Sequence, residues 1–321
     1  MPQYIPGRYV AIDIGTVTCR LYIADVDENG AIESVARDRE MTHLGVGVDA
    51  TGVLQDDAID RVIVTMQRFQ KTIRDCSFDK DCPLTPTIIA TSASRDAKNA
   101  DEFARRMREI GLELTVIPGT KEAALSFLGA SRAFLGERVM VVDSGGGSTE
   151  VVAGLAGGVP EKAHSFNIGC RRITDRFLED GGAGPIDEAR MEEARVWARK
   201  EMTPYFQELK EARCLPARMV AVAGTATTAV AVRDEMEVYD RARVNGATVT
   251  KDDLDAIYRK LAVMTADQRG AVAGLEPSRA NVICSGFATL QVVLDLAGLE
   301  VFTVSTNDIL QGIVLDAARA V

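Results

Sequence analysis

The sequence predicts an α/β protein of two domains related by internal duplication. A chain of 321 residues exceeds what one hydrophobic core usually supports. Apolar strand patterns alternate with helical patterns along the chain, as in α/β proteins. An apolar run followed by Asp, Gly and Thr occurs at residues 10–18 and returns at residues 139–149. We therefore expect two facing α/β domains, each with a glycine-bearing hairpin, and a ligand cleft between them.

The first half of the chain opens with three predicted strands. Residues 8–14 form a strand that carries Asp13 near its end, and Asn29-Gly30 is a hairpin signal between the second and third strands. Apolar residues at helical spacing predict an amphipathic helix at residues 56–74. The other elements predicted in this half are strands at 19–26, 31–38, 87–90 and 114–117, a polar loop at 91–99, a helix ending at Gly111 and a helix at 121–134.

The same order begins again after residue 134. Three predicted strands come first, and helical segments follow, of which the longest covers residues 187–210. The strands predicted in this half are 138–143, 149–155, 161–166 and 218–223, with a last strand and helix within 301–312. Both halves thus begin with a three-stranded meander, and this similarity is the basis for predicting the duplication.

Composition and charge exclude several classes of function. A net charge of −10 argues against general affinity for nucleic acid or an anionic membrane. No signal peptide or transmembrane span is apparent. His43 and His164 lack a paired spacing, so neither a histidine-rich metal site nor a His-based nucleophilic triad is expected. Scattered cysteines without Cys-x-x-Cys spacing indicate reduced thiols and a cytoplasmic location; they are Cys19, Cys76, Cys82, Cys170, Cys214 and Cys284.

Three turns of small residues are candidates for phosphate binding. Glycines at 145–147 would let the backbone reach positive φ and let a phosphate approach the N–H groups closely. Asp143 could hold a divalent cation, and Glu150 opens the returning strand. The turn at 15–18 repeats this pattern, and the turn at 223–228 precedes a helix whose N-terminus suits phosphate. The residues alone also fit a structural alternative, in which these are glycine-rich hairpins and a close-packed junction.

Five segments together resemble the exopolyphosphatase and guanosine pentaphosphate phosphohydrolase (Ppx/GppA) family. They are residues 11–16, 90–99, 143–150, 223–228 and 276–283, and they follow the family's order. The specific blocks are Ala-Thr-Ser-Ala-x-Arg-Asp-Ala-x-Asn and Asp-x-Gly-Gly-Gly-Ser-Thr-Glu. The chain is similar in length to the short members, which lack the C-terminal HD-type domain.

The resemblance implies two RNase H-like domains of the actin, sugar kinase and Hsp70 superfamily. We place the first domain at residues 1–120, completed by a C-terminal helix at 304–321, and the second at 121–303. The resemblance also implies a Mg²⁺-dependent exopolyphosphatase, with hydrolysis of pppGpp as a close variant, and a homodimer. Water would attack the terminal phosphoryl group in line, and no nucleophilic Ser or Cys is required.

The resemblance assigns site residues position by position. Glu122 takes the place of the family's catalytic glutamate and would position or deprotonate the attacking water. Arg95 would neutralise charge on the transferred group, and Glu150 would assist at the metal or the nucleophile. Without the resemblance, Glu122 would be interpreted as stabilising a helix dipole and Arg95 as the partner of Asp96. Metal coordination is implied for Asp143, Asp13 and Glu150. Phosphate contacts are implied for Gly15, Thr16, Thr18, Lys121, Gly145, Gly146, Gly147, Ser148, Arg171, Arg172, Gly224 and Thr225.

Four positions depart from the family pattern. Val17 stands where Asn is usual, and Lys121 replaces the first glutamate of a Glu-Glu pair. Arg171 replaces an apolar residue, and Asn245 replaces a frequent histidine. Lys121 and Arg171 add positive charge that would bind a polyanion more tightly. The alternative for Lys121 is a side chain that only contacts solvent, which is the commonest situation of lysines.

These departures keep two other hypotheses open. Loss of the Asn and the Glu would fit a catalytically weak regulator that binds polyphosphate or an alarmone. An ATP-using kinase or ATPase of the same superfamily is the other hypothesis. It would need an adenosine pocket, which no sequence feature identifies, and the chain has no Gly-x-x-x-x-Gly-Lys-Ser/Thr loop.

Overall fold

The structure is a computed structural model that describes residues 3–79 and 83–320. Cys82 lies outside the described residues. The chain divides into two compact units, of which the first comprises Met1–Gly129 with Ile309–Val321 and the second Ala130–Asp308. No helix in the two described ranges is both long and apolar enough to cross a membrane.

The first unit contains a five-stranded mixed sheet. Its strands are β1 (Gly7–Ile14), β2 (Thr18–Val26), β3 (Ile32–Met41), β4 (Thr87–Ala90) and β5 (Thr115–Val116). β1, β2 and β3 form an antiparallel meander, and β4 and β5 continue the sheet in parallel on the other side of β1. The predicted hairpin at Asn29-Gly30 is confirmed, because Gly30 adopts φ +75° and Asp27 Oδ1 accepts hydrogen bonds from the N–H groups of Asn29 and Ala31.

Helices cover both faces of this sheet. They are α1 (Val48–Thr51), α2 (Asp56–Cys76), α3 (Ser92–Asp96), α4 (Ala100–Glu109), α5 (Gly119–Ala130) and, near the end of the chain, α13 (Ile309–Ala318). Because side chains alternate along β1, Ile12 packs with α2 and α4, whereas Ala11 packs with α5 and α13. The amphipathic pattern at 56–74 thus marks a helix that buries Ile59, Val62, Met66, Phe69 and Ile73.

Two details of the first unit differ from the sequence prediction. The polar loop expected at 91–99 contains α3, a five-residue helix that carries Arg95. The division between units falls after Gly129 and after Asp308, whereas the sequence suggested residues 120 and 303. The reason for the later boundary is that α5 starts at Gly119 and packs Leu125 against α13 in the core of the first unit.

The second unit contains a six-stranded mixed sheet. Its strands are β6 (Arg138–Ser144), β7 (Thr149–Leu155), β8 (Lys162–Phe166), β9 (Met219–Val222), β10 (Thr248–Thr250) and β11 (Val301–Val304). β6, β7 and β8 form an antiparallel meander, β9 lies parallel to β6, and β11 lies parallel to β9. β10 is added antiparallel at the edge beyond β11. The order of meander and parallel strands repeats that of the first sheet, so the predicted duplication is confirmed.

The helices of the second unit follow the strands as expected. They are α6 (Cys170–Phe177), α7 (Glu188–Glu211), α8 (Ala223–Arg233), α9 (Arg241–Val244), α10 (Lys251–Ala262), α11 (Ala266–Gly270) and α12 (Ile283–Ala297). Asp187 caps α7 by accepting hydrogen bonds from Ala189 N and Arg190 N, which fixes the start of the predicted long helix. α7 and α12 pack on one face of the sheet, where they bury residues such as Phe206 and Phe287.

Candidate functional site

The two hairpins that open the sheets have the same turn. In the first unit, Gly15 N donates to Thr18 O over 3.0 Å, and in the second unit Gly145 N donates to Ser148 O over 3.0 Å. Neither glycine uses a positive φ, contrary to the sequence expectation. Glycine is suited to these positions because an added Cβ would lie 3.1 Å and 3.4 Å from the two carbonyl oxygens.

The carbonyl groups of the triple-glycine turn are bonded to the start of α6. Cys170 N donates to Gly145 O over 3.0 Å, and Arg171 N donates to Gly146 O over 2.8 Å. Arg172 Nε donates to Gly147 O over 2.9 Å. In the part of the chain that the structure describes, no backbone carbonyl accepts from the N–H groups of Gly146 and Gly147. These two N–H groups therefore have no backbone acceptor among the described residues, and the positive end of α6 lies behind the turn.

Two carboxylates lie side by side next to this turn. Asp143 on β6 pairs directly with Glu150 on β7 in the sheet register, so both side chains project from the same face. They are 7% and 1% exposed, and Ser165 Oγ on β8 donates to Glu150 Oε1 over 2.6 Å. Ser165 was not predicted, because its contact depends on the register of the third strand.

The chemistry of this pair fits a hard divalent cation. Carboxylate oxygens are preferred ligands of Mg²⁺, which usually retains several water ligands. Within residues 3–79 and 83–320, no group of three or more His, Cys, Asp or Glu side chains could hold a metal ion. A cation held by Asp143 and Glu150 would therefore complete its coordination with water or substrate oxygens.

Guanidinium groups supply positive charge close to the triple-glycine turn. Arg171 is 9% exposed, and its Nη1 lies 3.3 Å from Asp175 Oδ1. Burial raises the pKa of the Cys170 thiol, whereas the positive charges of Arg279 and Arg171 act in the opposite direction. Both arginines therefore act electrostatically at the start of α6. This local charge matters in a chain whose net charge is −10.

Arg279 is a candidate residue that the sequence analysis did not single out. Its guanidinium group lies against the backbone of Gly224, where a Cβ atom would collide with Arg279 Nη1. Arg279 Nε lies 3.6 Å from Glu276 Oε2. Residues 276–283 carried part of the family resemblance, but the pattern gave no indication that this arginine contacts the turn at 223–228.

The turn at 223–228 is strained and tied to β6. Ala223 adopts φ +66°, a left-handed conformation that costs a non-glycine residue energy. Thr225 Oγ1, in the first turn of α8, donates to Ser144 O over 3.1 Å. This bond joins the start of α8 to the strand end from which Asp143 projects.

The first unit brings two predicted catalytic residues together. Arg95 Nη1 on α3 donates to Glu122 Oε2 on α5 over 3.1 Å and to Ile117 O over 3.0 Å. The Glu122 side chain is only 10% exposed, and that of Arg95 is 22% exposed. Arg95 thus contacts Glu122 in addition to any interaction with Asp96. The contact orients the carboxylate and leaves other N–H groups of the guanidinium for a phosphoryl oxygen.

Asp13 and residues of the first turn also have hydrogen-bond partners. Arg20, directly opposite Asp13 on β2, donates through Nη2 to Asp13 Oδ2 over 2.6 Å. A cation at Asp13 would compete with this arginine, which was not predicted. Gly45 N donates to Thr16 O over 2.8 Å, and Thr18 Oγ1 donates to Met41 Sδ over 3.1 Å. The roles of Asp13, Thr16 and Thr18 in binding stay predictions.

Besides Arg171, two other family departures have structural partners. Lys121 Nζ pairs with Asp316 Oδ2 of α13 over 2.6 Å. Asn245 Oδ1 accepts hydrogen bonds from Thr306 N and Thr306 Oγ1, each over 3.0 Å. Lys121 therefore links α5 to α13, and its phosphate contact stays a prediction.

Comparisons with known proteins agree on one family. Residues 22–320 match the family model described as the Ppx/GppA phosphatase family. Exopolyphosphatase 2 of Mycobacterium tuberculosis is 34% identical over 97% of this chain and 98% of its own length. The bifunctional 3-dehydroquinate synthase/phosphatase of Fusobacterium nucleatum is 32% identical over 96% of this chain, which spans 46% of that protein.

Solved structures show the same relationship. An exopolyphosphatase-like protein has a TM-score of 0.86 and 32% identity, with 98% of each chain covered. The Ppx/GppA family member of Aquifex aeolicus has a TM-score of 0.77 and 27% identity, with 97% of each chain covered. The predicted family is confirmed, and so is the predicted α/β fold class with two duplicated sheets.

Proposed function

Because the chain belongs to the Ppx/GppA phosphatase family, we propose that it is an exopolyphosphatase that releases terminal orthophosphate from inorganic polyphosphate. The observation that carries this proposal is the triple-glycine turn, whose carbonyls are bonded to α6 while the N–H groups of Gly146 and Gly147 have no backbone acceptor among the described residues. Backbone donors backed by a helix N-terminus suit the oxygens of a phosphate chain. Hydrolysis of pppGpp is the close variant.

Glu122 is the residue that we assign to the attacking water. Its buried carboxylate is oriented by Arg95, so a water molecule hydrogen-bonded to this carboxylate would be held in a defined direction. Arg95 would also offset charge on the transferred phosphoryl group. Phosphoryl transfer needs little covalent chemistry from the protein, so positioning and electrostatics suffice.

The second unit would hold the phosphate chain. Gly146, Gly147, Gly224 and Thr225 would supply N–H donors, and Arg171, Arg172 and Arg279 would supply positive charge. Mg²⁺ bound at Asp143 and Glu150 would reduce the negative charge of the phosphoryl oxygens. Ser165 would hold the Glu150 carboxylate in place through its hydroxyl group.

An orthophosphate-release assay tests the proposed function. The purified chain is incubated with long-chain polyphosphate, pppGpp or ATP, in the presence of Mg²⁺ or of a chelator. We expect release from polyphosphate that depends on Mg²⁺ and falls at least about a hundredfold in Glu122→Gln, because loss of a positioned acid or base typically costs 10²–10⁴-fold. Glu113→Gln, at an exposed position of the same unit, is the matched control and should retain activity.

The other outcomes separate the alternatives. Release from ATP alone would support the kinase or ATPase hypothesis. Tight polyphosphate binding without turnover would support a regulator. Glu122→Gln activity near that of the wild type would contradict the assignment of Glu122.

A further inference from the structure

Gly286 lies at the contact of three helices in the second unit. It belongs to the first turn of α12 and is buried, as are its neighbours Ser285 and Phe287. A Cβ atom at this position would lie 2.8 Å from Thr225 Cγ2, 2.9 Å from Thr225 Oγ1 and 3.4 Å from Cys170 Cβ. The backbone of α12 therefore touches the first turns of both α8 and α6.

These two first turns hold the backbone of the triple-glycine turn. Thr225 Oγ1 of α8 donates to Ser144 O, and Cys170 N of α6 donates to Gly145 O. Ser144 and Gly145 are consecutive, so two neighbouring carbonyl groups are fixed by two different helices. Gly286 contacts both of the residues that make these bonds.

The Thr225 side chain cannot move easily to make room for a methyl group added at Gly286. Its side chain branches at Cβ, so Cγ2 and Oγ1 move only together when χ1 changes. Such a rotation would break the bond from Oγ1 to Ser144 O. Thr225 is 2% exposed, and the neighbouring hydroxyls Thr174 Oγ1 and Ser285 Oγ are hydrogen-bonded over 2.8 Å between α6 and α12. Thr225 is therefore buried beside a contact between α6 and α12 that has its own hydrogen bond.

We propose that Gly286 is a positioning residue for phosphate binding, because its lack of a side chain lets Thr225 and Cys170 fix the triple-glycine turn. This inference rests on the proposed function, since that function gives the turn its ligand. A substitution at Gly286 changes the position of the N–H donors without touching the phosphate itself.

Gly286→Ala is the first test, in the full chain with Mg²⁺ and long-chain polyphosphate. We expect KM for polyphosphate to rise at least tenfold, because the displaced turn loses the alignment of its donors, while kcat changes less. Hydrogen–deuterium exchange of the segment containing residues 144–148 should quicken in the same variant. A loss of thermal stability with unchanged KM and unchanged exchange in this segment would overturn the proposal.

Thr225→Ser in the same chain provides the compensating change. Serine keeps a hydroxyl for Ser144 O but removes Cγ2, the atom nearest to the added methyl group. The double variant Gly286→Ala with Thr225→Ser should recover at least part of the affinity lost in Gly286→Ala. Gly270→Ala is the matched control in the same unit, since its Cβ would lie no closer than 3.4 Å to Pro277, and it should change KM less than twofold.

Thr225→Val keeps the inference testable if Gly286→Ala does not fold. Valine retains the shape of threonine but removes the bond to Ser144 O, so exchange at residues 144–148 should quicken. Unchanged exchange would overturn the proposal. A wild-type chain that releases no phosphate from polyphosphate would count against the proposed function alone, because the exchange measurements do not depend on turnover.

Discussion

At the scale of single residues, Lys121 shows how a departure from a family pattern can acquire a structural partner. The sequence placed a positive charge beside Glu122 and suggested a phosphate contact. Lys121 pairs with Asp316, which lies 195 positions later in the chain, and its phosphate contact stays a prediction. Both side chains are substantially exposed, at 46% and 35%, so the energy of the pair is modest.

A charge exchange tests this pair. Lys121→Glu should lower the free energy of unfolding by up to about 1 kcal/mol, because it places two negative charges together. Lys121→Glu with Asp316→Lys should restore stability, and urea unfolding measures both. Failure of the exchanged pair to recover stability would show that the two side chains do not interact in solution. A raised KM in both variants would support the predicted phosphate contact.

Other residue-scale contacts were beyond the reach of sequence reasoning. Glu122 and Arg95 were each proposed from the family resemblance, but their mutual hydrogen bond depends on how α3 and α5 pack. Arg20 and Ser165 were missed, since each becomes visible only when strand register places it beside Asp13 or Glu150. The alternation of apolar and polar residues along a strand indicates which residues share a face of the sheet. It does not identify the residue opposite them on the neighbouring strand.

At the scale of elements, most strands and long helices were predictable because their apolar patterns are strong. The three strands of each meander and the helices α2 and α7 begin and end within a few residues of the predicted positions. The short helix α3 was not predicted. Its five residues are Ser, Ala, Ser, Arg and Asp, which carry no apolar period, and packing rather than propensity holds them in a helix.

Loop glycines give an element-scale prediction with a matched control. Gly274 and Gly246 have nearly equal φ values, +84° and +83°, but only Gly274 lies against the backbone of Ala231 in α8. Gly246→Ala should cost about 1 kcal/mol through backbone strain alone. Gly274→Ala should cost about 2 kcal/mol more, because the new methyl group collides with main-chain atoms. Urea unfolding of the two variants measures the difference, and equal losses would contradict this packing argument.

At the scale of the whole molecule, the duplication was predictable and the unit boundaries were less so. Two glycine-bearing hairpins signalled the repeated meander, and the two sheets share its topology. The boundary near residue 129 lies inside α5. Turn residues mark the ends of helices and strands rather than the ends of domains. A helix that belongs almost entirely to one core therefore gives no local sequence signal of a domain boundary.

Buried ionisable groups predict how the stability of the molecule depends on pH. Burial raises the pKa of Cys19 from an ordinary value of 9.0 to about 12, and burial also raises the pKa of Cys170, Cys284, Tyr205 and Tyr258. The folded state therefore favours the neutral form of each group. Their contribution is fully present below the unfolded pKa and is lost as pH rises above about 9.

The free energy of unfolding should accordingly fall between pH 9 and pH 12. Each fully buried group contributes up to about 1.4 kcal/mol per pH unit in that range. Urea unfolding at several pH values measures this slope, and Cys19→Ala should reduce it while lowering stability by a constant amount at neutral pH. A slope that does not change in Cys19→Ala would show that the thiol ionises as readily in the folded state as in the unfolded one.

The two equivalent turns have a consequence for mapping the substrate site. Their shape is set by the bonds from Gly15 N to Thr18 O and from Gly145 N to Ser148 O, and the donors proposed for phosphate at Gly146 and Gly147 belong to the main chain. Alanine scanning leaves such donors in place, so it would report the proposed arginines and carboxylates and overlook any contribution from the turn. Amide-to-ester replacement at Gly146 or Gly147, which deletes one N–H and keeps every side chain, is the chemical edit that would make this part of the site visible.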